Sequence, residues 1–197
     1  MKPEEYVEST FKESIAIKEK FFEEHCENII HAAQVIGTSL KNGGKVLIFG
    51  NGGSAADAQH MAAEMVGRML VERRPLHAIA LTTNSSNLTA LGNDFGYEQI
   101  FAKQVEALAQ KGDIIIAIST SGNSKNVLHA IQTAKQKECT VIGLTGGDGG
   151  ALKEMCNITL SASLGKNSSR IQETHIFAIH SIVDILDRYF LDEPSNS

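Results

Sequence analysis

Two short loops rich in glycine and hydroxyl groups carry the clearest chemical signal in this sequence. The first, residues 50–57, follows the apolar run 46–49 and reads Gly-Asn-Gly-Gly-Ser-Ala-Ala-Asp at the start of a helical pattern. Glycines let a backbone turn sharply and approach a ligand closely, and the N-terminus of a helix offers unpaired N–H groups to an anion. We therefore expect this loop to bind an anion or a sugar.

The second loop, residues 119–124, reads Ser-Thr-Ser-Gly-Asn-Ser and again follows an apolar run. Its four hydroxyl groups around one glycine form a cup of O–H and N–H donors that suits a phosphate group at the start of a helix. No lysine directly follows the glycine in a Gly-Lys-Ser/Thr sequence, as it does in loops that hydrolyse nucleoside triphosphates. A serine-rich turn that only caps a helix is the alternative.

The first loop also matches G-x-G-x-x-A, the pattern of dinucleotide-binding loops. In that motif an acidic residue near the end of the next strand binds a ribose. The next apolar run here ends in Thr82, Thr83 and Asn84 instead. This difference argues against nucleotide binding, while a purely structural tight turn stays open as an alternative.

Titratable side chains follow the first loop at helical spacing. His60 and Glu64 are four residues apart, so they share one face of a helix, and Arg68 extends the same row. An imidazole and a carboxylate so placed suit a metal site or an acid–base pair. A structural histidine is the competing interpretation.

A second group of polar side chains lies on the last predicted helix. Gln172 and His180 are eight residues apart, roughly 80° around a helix, so both can face one cleft. His175 competes with His180 for such a role, and periodicity alone does not rank the two.

The elements that must position these residues are five short apolar runs separated by helical patterns. The runs are residues 46–49, 78–81, 114–118, 140–144 and 158–160, and the helical patterns are 54–69, 97–109, 124–137 and 169–189. Uniformly apolar strands are covered on both faces, and β/α alternation favours parallel pairing. We predict an α/β fold with a three-layer, doubly wound, mainly parallel five-stranded sheet of the flavodoxin-like kind. Both loops then lie at the C-terminal ends of strands, where such sheets bind ligands.

Two further helices are predicted before the first strand. Apolar residues recur at helical spacing within residues 4–22 (Val7, Phe11, Ile15 and Phe22) and again until Asn42-Gly43-Gly44 (Ile29, Ala33, Ile36 and Leu40). We predict one domain, residues 1–197. It comprises a helical extension at 1–44 that packs at an oligomer interface, an α/β core at 45–190 and a flexible tail at 191–197.

Composition narrows the class of protein. Hydrophobic residues make up 42% and charged residues 21% of the 197 residues, which is ordinary globular usage. The net charge of −5 argues against a general nucleic-acid-binding protein. Three scattered cysteines without a C-x-x-C pair predict reduced thiols. We find no apolar signal region at the N-terminus and no membrane-spanning run, and therefore predict a cytoplasmic protein.

Four motifs occur together: the first loop extended to His60 and Glu64, the pair Asn93-Asp94, the second loop, and the segment 170–180. In this combination they resemble the phosphoheptose isomerase family of the SIS (sugar isomerase) domain superfamily, and the resemblance covers nearly the whole chain. It implies an aldose–ketose isomerase that converts sedoheptulose 7-phosphate to D-glycero-D-manno-heptose 7-phosphate. This reaction is the first step towards activated heptose for surface polysaccharide.

The resemblance also implies a homotetramer with sites between subunits, and one zinc ion per subunit. The implied zinc ligands are His60, Glu64, Gln172 and His180, which ranks His180 above His175. The implied substrate contacts are Asn51, Gly52, Gly53, Glu64, Asn93, Asp94, Ser119, Thr120, Ser121, Ser124 and Gln172.

An isomerisation of this kind moves a proton between neighbouring carbons through a cis-enediol. It requires a base, an acid and an anchor for the distant phosphate. We assign Glu64 as the base, His180 as the acid and the second loop as the anchor. Because a metal-bound carboxylate is a weaker base, Glu64 could serve the metal, the proton, or both in succession.

Two rival functions use the same fold. A sister branch of the family is a non-catalytic adaptor of the bacterial replication initiator and departs from the pattern at the positions of Glu64 and His180. This chain keeps both residues. The other rival is a different sugar-phosphate isomerase, or a regulator that senses a phosphosugar, although the acidic first 40 residues do not resemble a DNA-binding segment.

Overall fold

The computed structural model describes residues 2–191, and these begin with a single long helix, α1 (Pro3–Lys41). The structure has one helix where two were predicted, because no glycine or proline between residues 4 and 36 interrupts the backbone hydrogen bonds. The helix ends at Asn42, and Gly43 follows with a φ of +82°, as the Asn-Gly-Gly signal predicted. The predicted tail 191–197 lies outside the described residues apart from Leu191.

Five strands form one parallel sheet, which confirms the predicted doubly wound α/β fold. They are β1 (Val46–Gly50), β2 (Ala78–Ala80), β3 (Ile114–Ile118), β4 (Thr140–Gly146) and β5 (Ile158–Ala162), in the order β2-β1-β3-β4-β5. Gly50 at the end of β1 pairs with Ile118 at the end of β3, although the chain forms β2 between them. The strand order therefore reverses between β1 and β3, and a crevice opens at such a point.

Besides α1, the described residues 2–191 form six α-helices: α2 (Gly53–Val66), α3 (Ser85–Phe95), α4 (Ile100–Leu108), α5 (Lys125–Gln136), α6 (Gly150–Lys153) and α7 (Ser168–Tyr189). The predicted helix at 97–109 begins as a short 3₁₀ turn, Tyr97–Gln99, before α4. No helix was predicted at α3, whose few apolar residues, such as Leu88 and Leu91, pack against the core but are only partly buried.

The sheet separates two hydrophobic clusters, which makes the fold three-layered. Along β1, Ile48 packs with residues of α1, α2 and α7, whereas Leu47 and Phe49 pack with α4 and α5 on the opposite side. Both faces of the strand are therefore buried, which explains its uniformly apolar sequence. Within residues 2–191, no helix has the length and hydropathy that a membrane-spanning segment requires.

Candidate active site

The two predicted loops meet at the carboxyl ends of β1 and β3. Gly52 precedes α2 with a φ of +57°, a conformation that glycine adopts without strain. The second loop leads from β3 into α5, whose first residue is Lys125. Strand order alone brings these loops together, since they are far apart along the chain.

A cavity of about 280 Å³ opens between the loops and the start of α7. Its lining comprises Asn51, Gly52, Gly53, Ser54, Ile118, Ser119, Thr120, Ser124, Ser168 and Gln172. The structure thus gathers seven of the predicted substrate contacts around one cavity. Ser121 instead lines an adjacent cavity of about 320 Å³, which Thr120 also borders.

The hydroxyl groups of the second loop are held by one another and by α7. The Ser119 side chain is almost fully buried, and its Oγ donates to Ser124 Oγ at 3.0 Å. Thr120 Oγ1 lies 3.4 Å from Ser168 Oγ on the first turn of α7. Ser168 was not predicted, because its place beside the loop depends on how α7 docks. The resulting cluster of O–H donors fits a phosphate group.

The side chain of Asn51 links the two loops. Its carboxamide exchanges two hydrogen bonds of 2.9 Å with that of Asn126 on α5, and Tyr97 Oη donates to Asn51 Oδ1 at 3.1 Å. Asn126 is 97% buried, so its partner fixes its orientation. Sequence reasoning missed Asn126 and Tyr97, since their partner lies in a distant loop.

Asn93 and Asp94 lie apart from this cavity. Both are exposed at the C-terminal end of α3, where Asn93 Nδ2 donates to Asp94 Oδ1 at 2.8 Å. Within this chain they contact none of the other candidate residues through a hydrogen bond that the structure describes. Their role as substrate contacts stays a prediction.

The predicted titratable residues meet between α2 and α7. His60 Nε2 lies 2.9 Å from His180 Nε2, and Glu64 Oε1 lies 3.7 Å from His60 Nε2. Both imidazoles are exposed to solvent. Gln172 is two turns away on α7, where its carboxamide packs against Gly53. Three of the four predicted zinc ligands, His60, Glu64 and His180, therefore lie together in this chain, and the place of Gln172 among them stays a prediction.

The donor set of this cluster is chemically suited to zinc. Imidazole nitrogens and a carboxylate are typical zinc ligands, and tetrahedral coordination at about 2.0 Å separates two such nitrogens by roughly 3.3 Å. The 2.9 Å between His60 and His180 is close to that separation. Nevertheless, residues 2–191 contain no group of three His, Cys, Asp or Glu side chains already arranged to hold a metal ion.

His175 belongs to the core instead. It is fully buried, and its Nε2 donates to the Thr145 carbonyl at 2.8 Å, while no partner for Nδ1 is found among the described residues. Burial lowers the pKa of His175 to about 4, only partly offset by the hydrogen bond to Thr145, so the ring is neutral at pH 7. Arg68, which extends the row of His60 and Glu64, is exposed and lies 3.8 Å from Glu72.

Asp57 is a buried carboxylate near the cluster that was not among the predicted site residues. It is 6% exposed, and its Oδ2 has no hydrogen-bond partner among the described residues. Burial raises the pKa of Asp57 to about 6, while the nearby charge of His60 acts in the opposite direction. Its spacing of three residues from His60 is the signal that would have placed it on the same face of α2.

Known proteins resemble this chain along nearly its whole length. Residues 10–146 match the model of the SIS domain family. A phosphoheptose isomerase from Campylobacter concisus is 51% identical over 187 residues, which cover 93% of this chain and 98% of that protein. Structures of phosphoheptose isomerases from Neisseria gonorrhoeae and Francisella tularensis match with TM-scores of 0.89 and 0.91 at 44% and 42% identity. Each match covers 95% of this chain and 100% of the other.

Proposed function

Because this chain belongs to the phosphoheptose isomerase family of SIS-domain proteins and is an isomerase, we propose that it converts sedoheptulose 7-phosphate to D-glycero-D-manno-heptose 7-phosphate. One observation carries this proposal: a hydroxyl-lined cavity and a histidine–carboxylate cluster lie along the same pair of helices, α2 and α7. The cavity supplies an anchor for a phosphate, and the cluster supplies groups that transfer protons.

The second loop anchors the phosphate. Ser119, Thr120 and Ser124 present hydroxyl groups to the cavity, and the first turn of α5 adds backbone N–H groups. Charge-assisted hydrogen bonds to a phosphate are stronger than neutral ones. Holding the phosphate, which is remote from the reacting carbons, orients those carbons against the catalytic groups and lowers the entropic part of the barrier.

Glu64 and His180 move the protons. Glu64 removes a proton from the carbon next to the carbonyl group, and the same proton is returned to the neighbouring carbon after an enediol has formed. His180 exchanges protons with the two substrate oxygens. Proton transfer by positioned groups of this kind contributes roughly 10²–10⁴ in rate. In the metal-free chain, His60 Nε2 hydrogen bonds to His180 Nε2 and so orients its ring.

We also propose that the chain binds one zinc ion per subunit through His60, Glu64 and His180, with Gln172 as the fourth residue that the family resemblance implies. When bound, zinc would polarise the substrate oxygens as a Lewis acid.

A homotetramer with sites between subunits accords with the surface of α1. Four apolar residues of the segment predicted to pack at the interface, Val7, Phe11, Ile15 and Phe22, are 40–65% exposed in the single chain. Large exposed apolar side chains in a row are typical of interfaces. All three cysteines are free thiols, in keeping with a reducing compartment such as the cytoplasm. There the product would enter the synthesis of activated heptose for surface polysaccharide.

The adaptor function is not favoured. The chain keeps Glu64 and His180, and three relatives that are 51–52% identical to it are phosphoheptose isomerases. An adaptor would need neither a proton-transfer pair nor a phosphate cup.

The test is turnover of sedoheptulose 7-phosphate, followed by NMR detection of the aldose, with and without added zinc. We expect Glu64→Gln and His180→Gln to lower turnover about 100-fold or more. His31→Gln, which changes an exposed histidine on α1, should leave it unchanged. Absence of turnover in folded, zinc-treated wild-type protein would refute the heptose substrate and favour an adaptor or a sensor.

A further inference from the structure

A fully buried ion pair joins the loop after α2 to the end of α7. Arg73 Nε donates to Asp187 Oδ1 at 3.0 Å, and neither side chain has any exposed surface. The second carboxylate oxygen, Asp187 Oδ2, accepts from the backbone N–H groups of Leu70 and Val71 at 3.0 and 3.4 Å. Asp187, which belongs to α7, thus binds the segment that follows α2.

The same arginine caps α2. Its Nη2 donates to the carbonyl of Glu64 at 2.8 Å, and its Nη1 donates to the carbonyl of Gly67, the residue after the helix, at 2.6 Å. Carbonyls in the last turn of a helix lack intrahelical partners, and a positive charge there is favourable. Arg73 therefore binds the backbone of the residue whose side chain is the proposed base.

Asp187 of the ion pair lies on the same face of α7 as His180, one of the proposed catalytic residues. Asp187 follows His180 by seven residues, roughly 20° around α7 and about 10 Å along its axis, so the two share a face. The α2 segment contacts α7 at successive points: Gly53 lies against Gln172, His60 against His180, and Leu70, in the loop after α2, against Asp187. The bonds at Asp187 therefore limit both the sliding and the rotation of α2 against α7.

We propose that Arg73 and Asp187 are positioning residues, which hold Glu64 and His60 on α2 at a set distance from His180 on α7. This inference rests on the proposed function of these three residues. Stability alone does not call for an ion pair here, because well-packed apolar residues hold buried helices together equally well. By contrast, a guanidinium that bonds the carboxylate and two backbone carbonyls, with a carboxylate that accepts from three donors, strongly restricts the relative position of the two backbones.

The chain contains a matched control pair at the opposite end of the sheet. Asp113, which precedes β3, is also buried, accepts from Lys45 Nζ at 2.6 Å, and accepts from the backbone N–H groups of Lys45 and Gln110 at 3.0 and 2.8 Å. Asp187 and Asp113 therefore each bind one cation and two amides. Substitution by Asn removes the same kinds of contact at both sites.

The experiment compares Asp187→Asn with Asp113→Asn in the full-length protein. It measures thermal unfolding, the zinc dissociation constant by chelator competition, kcat and KM, and the histidine ring ¹H–¹⁵N correlations of metal-free protein. We expect both variants to melt at lower temperature. Only Asp187→Asn should weaken zinc binding by about 10–100-fold, lower kcat more than it changes KM, and shift the ring signals of His60 and His180.

Equal effects of the two variants on zinc affinity and on the ring signals, or no effect of Asp187→Asn on either, would overturn the inference. Failure of wild-type protein to bind zinc would count against the proposed metal, while the ring signals of metal-free protein would still decide whether Asp187 positions His60 and His180. If Asp187→Asn does not fold, Arg73→Lys replaces it. Lysine keeps the charge but cannot bond Asp187 and the Glu64 carbonyl together.

Discussion

The carboxamide of Gln172 lies in the space beside Gly53 that a Cβ atom would fill. An ideal Cβ on Gly53 would be 2.4 Å from Gln172 Nε2, well inside contact distance. The absence of a side chain at Gly53 is therefore what lets Gln172 on α7 reach the cavity beside the first loop.

Gly53→Ala should push Gln172 out of this position. If Gln172 binds substrate there, loss of about one hydrogen bond should raise KM roughly tenfold. Steady-state kinetics measure this, and a crystal structure of the variant shows where Gln172 lies. Gly92→Ala is the matched control, because its Cβ would lie at an ordinary 3.7 Å from Ile100 Cγ2. An unchanged KM in Gly53→Ala with Gln172 displaced would remove Gln172 from the substrate contacts.

Ser119→Ala tests the phosphate cup. Ser119 is 97% buried and hydrogen bonded to Ser124, so the substitution removes one donor with little change of the surrounding backbone. We expect KM for the sugar phosphate to rise by about tenfold or more, with a smaller effect on kcat. Ser86→Ala, on the exposed face of α3, should leave KM as in the wild type. Equal KM values for the two variants would contradict a phosphate site at this loop.

Stability should fall in mild acid because of His175. The folded-state pKa of about 4 lies below the ordinary 6.5, so the unfolded chain binds a proton at a pH where the folded protein does not. This contribution to stability is complete above pH 6.5 and is lost as the pH falls towards 4. At pH 5.5 the free energy of unfolding is therefore lower by about 1 kcal/mol than at neutral pH.

Urea unfolding at pH 7.5 and pH 5.5 measures this loss. In His175→Gln the new amide can still donate to the Thr145 carbonyl. The difference in the free energy of unfolding between pH 7.5 and pH 5.5 should be about 1 kcal/mol smaller in this variant than in the wild type. His31→Gln replaces a histidine that is exposed in the folded chain and should keep the wild-type difference. The same pH dependence in all three proteins would show that His175 is not the group responsible.

Asp57→Asn should stabilise metal-free protein at neutral pH. Because the folded-state pKa of about 6 lies above the ordinary aspartate value of 3.8, folding favours the neutral carboxyl group. Its stabilising contribution is complete below pH 3.8 and is lost as the pH rises through 6. Above pH 7 the buried carboxylate therefore lowers the free energy of unfolding by about 1–3 kcal/mol, and an uncharged asparagine avoids this loss.

Urea unfolding as a function of pH again provides the measurement. The gain from Asp57→Asn should be largest at pH 7.5 and should diminish between pH 6 and pH 4. A loss of stability at pH 7.5 would instead indicate that the ionised carboxylate has a favourable partner in solution.

Local patterns in the sequence were enough to predict the strands, the two loops and the shared face of His60 and Glu64. Buried parallel strands need continuous apolar runs, sharp turns beside a ligand need glycine, and a separation of four residues fixes a common helix face. Each of these features depends only on residues that are neighbours in the chain. The family resemblance added chemistry that periodicity does not contain, including the preference for His180 over His175.

Tertiary structure decided the features that join distant segments. Asn51 pairs with Asn126 across 75 residues because β1 and β3 are neighbours in the sheet, and Arg73 reaches Asp187 because α2 and α7 run side by side. His175 is buried and His180 exposed although both are on α7, since the rotation of that helix against the sheet is set by packing. By itself, the sequence determined which residues can do chemistry. Docking of the elements, driven by burial of both faces of the sheet, determined which of those residues meet.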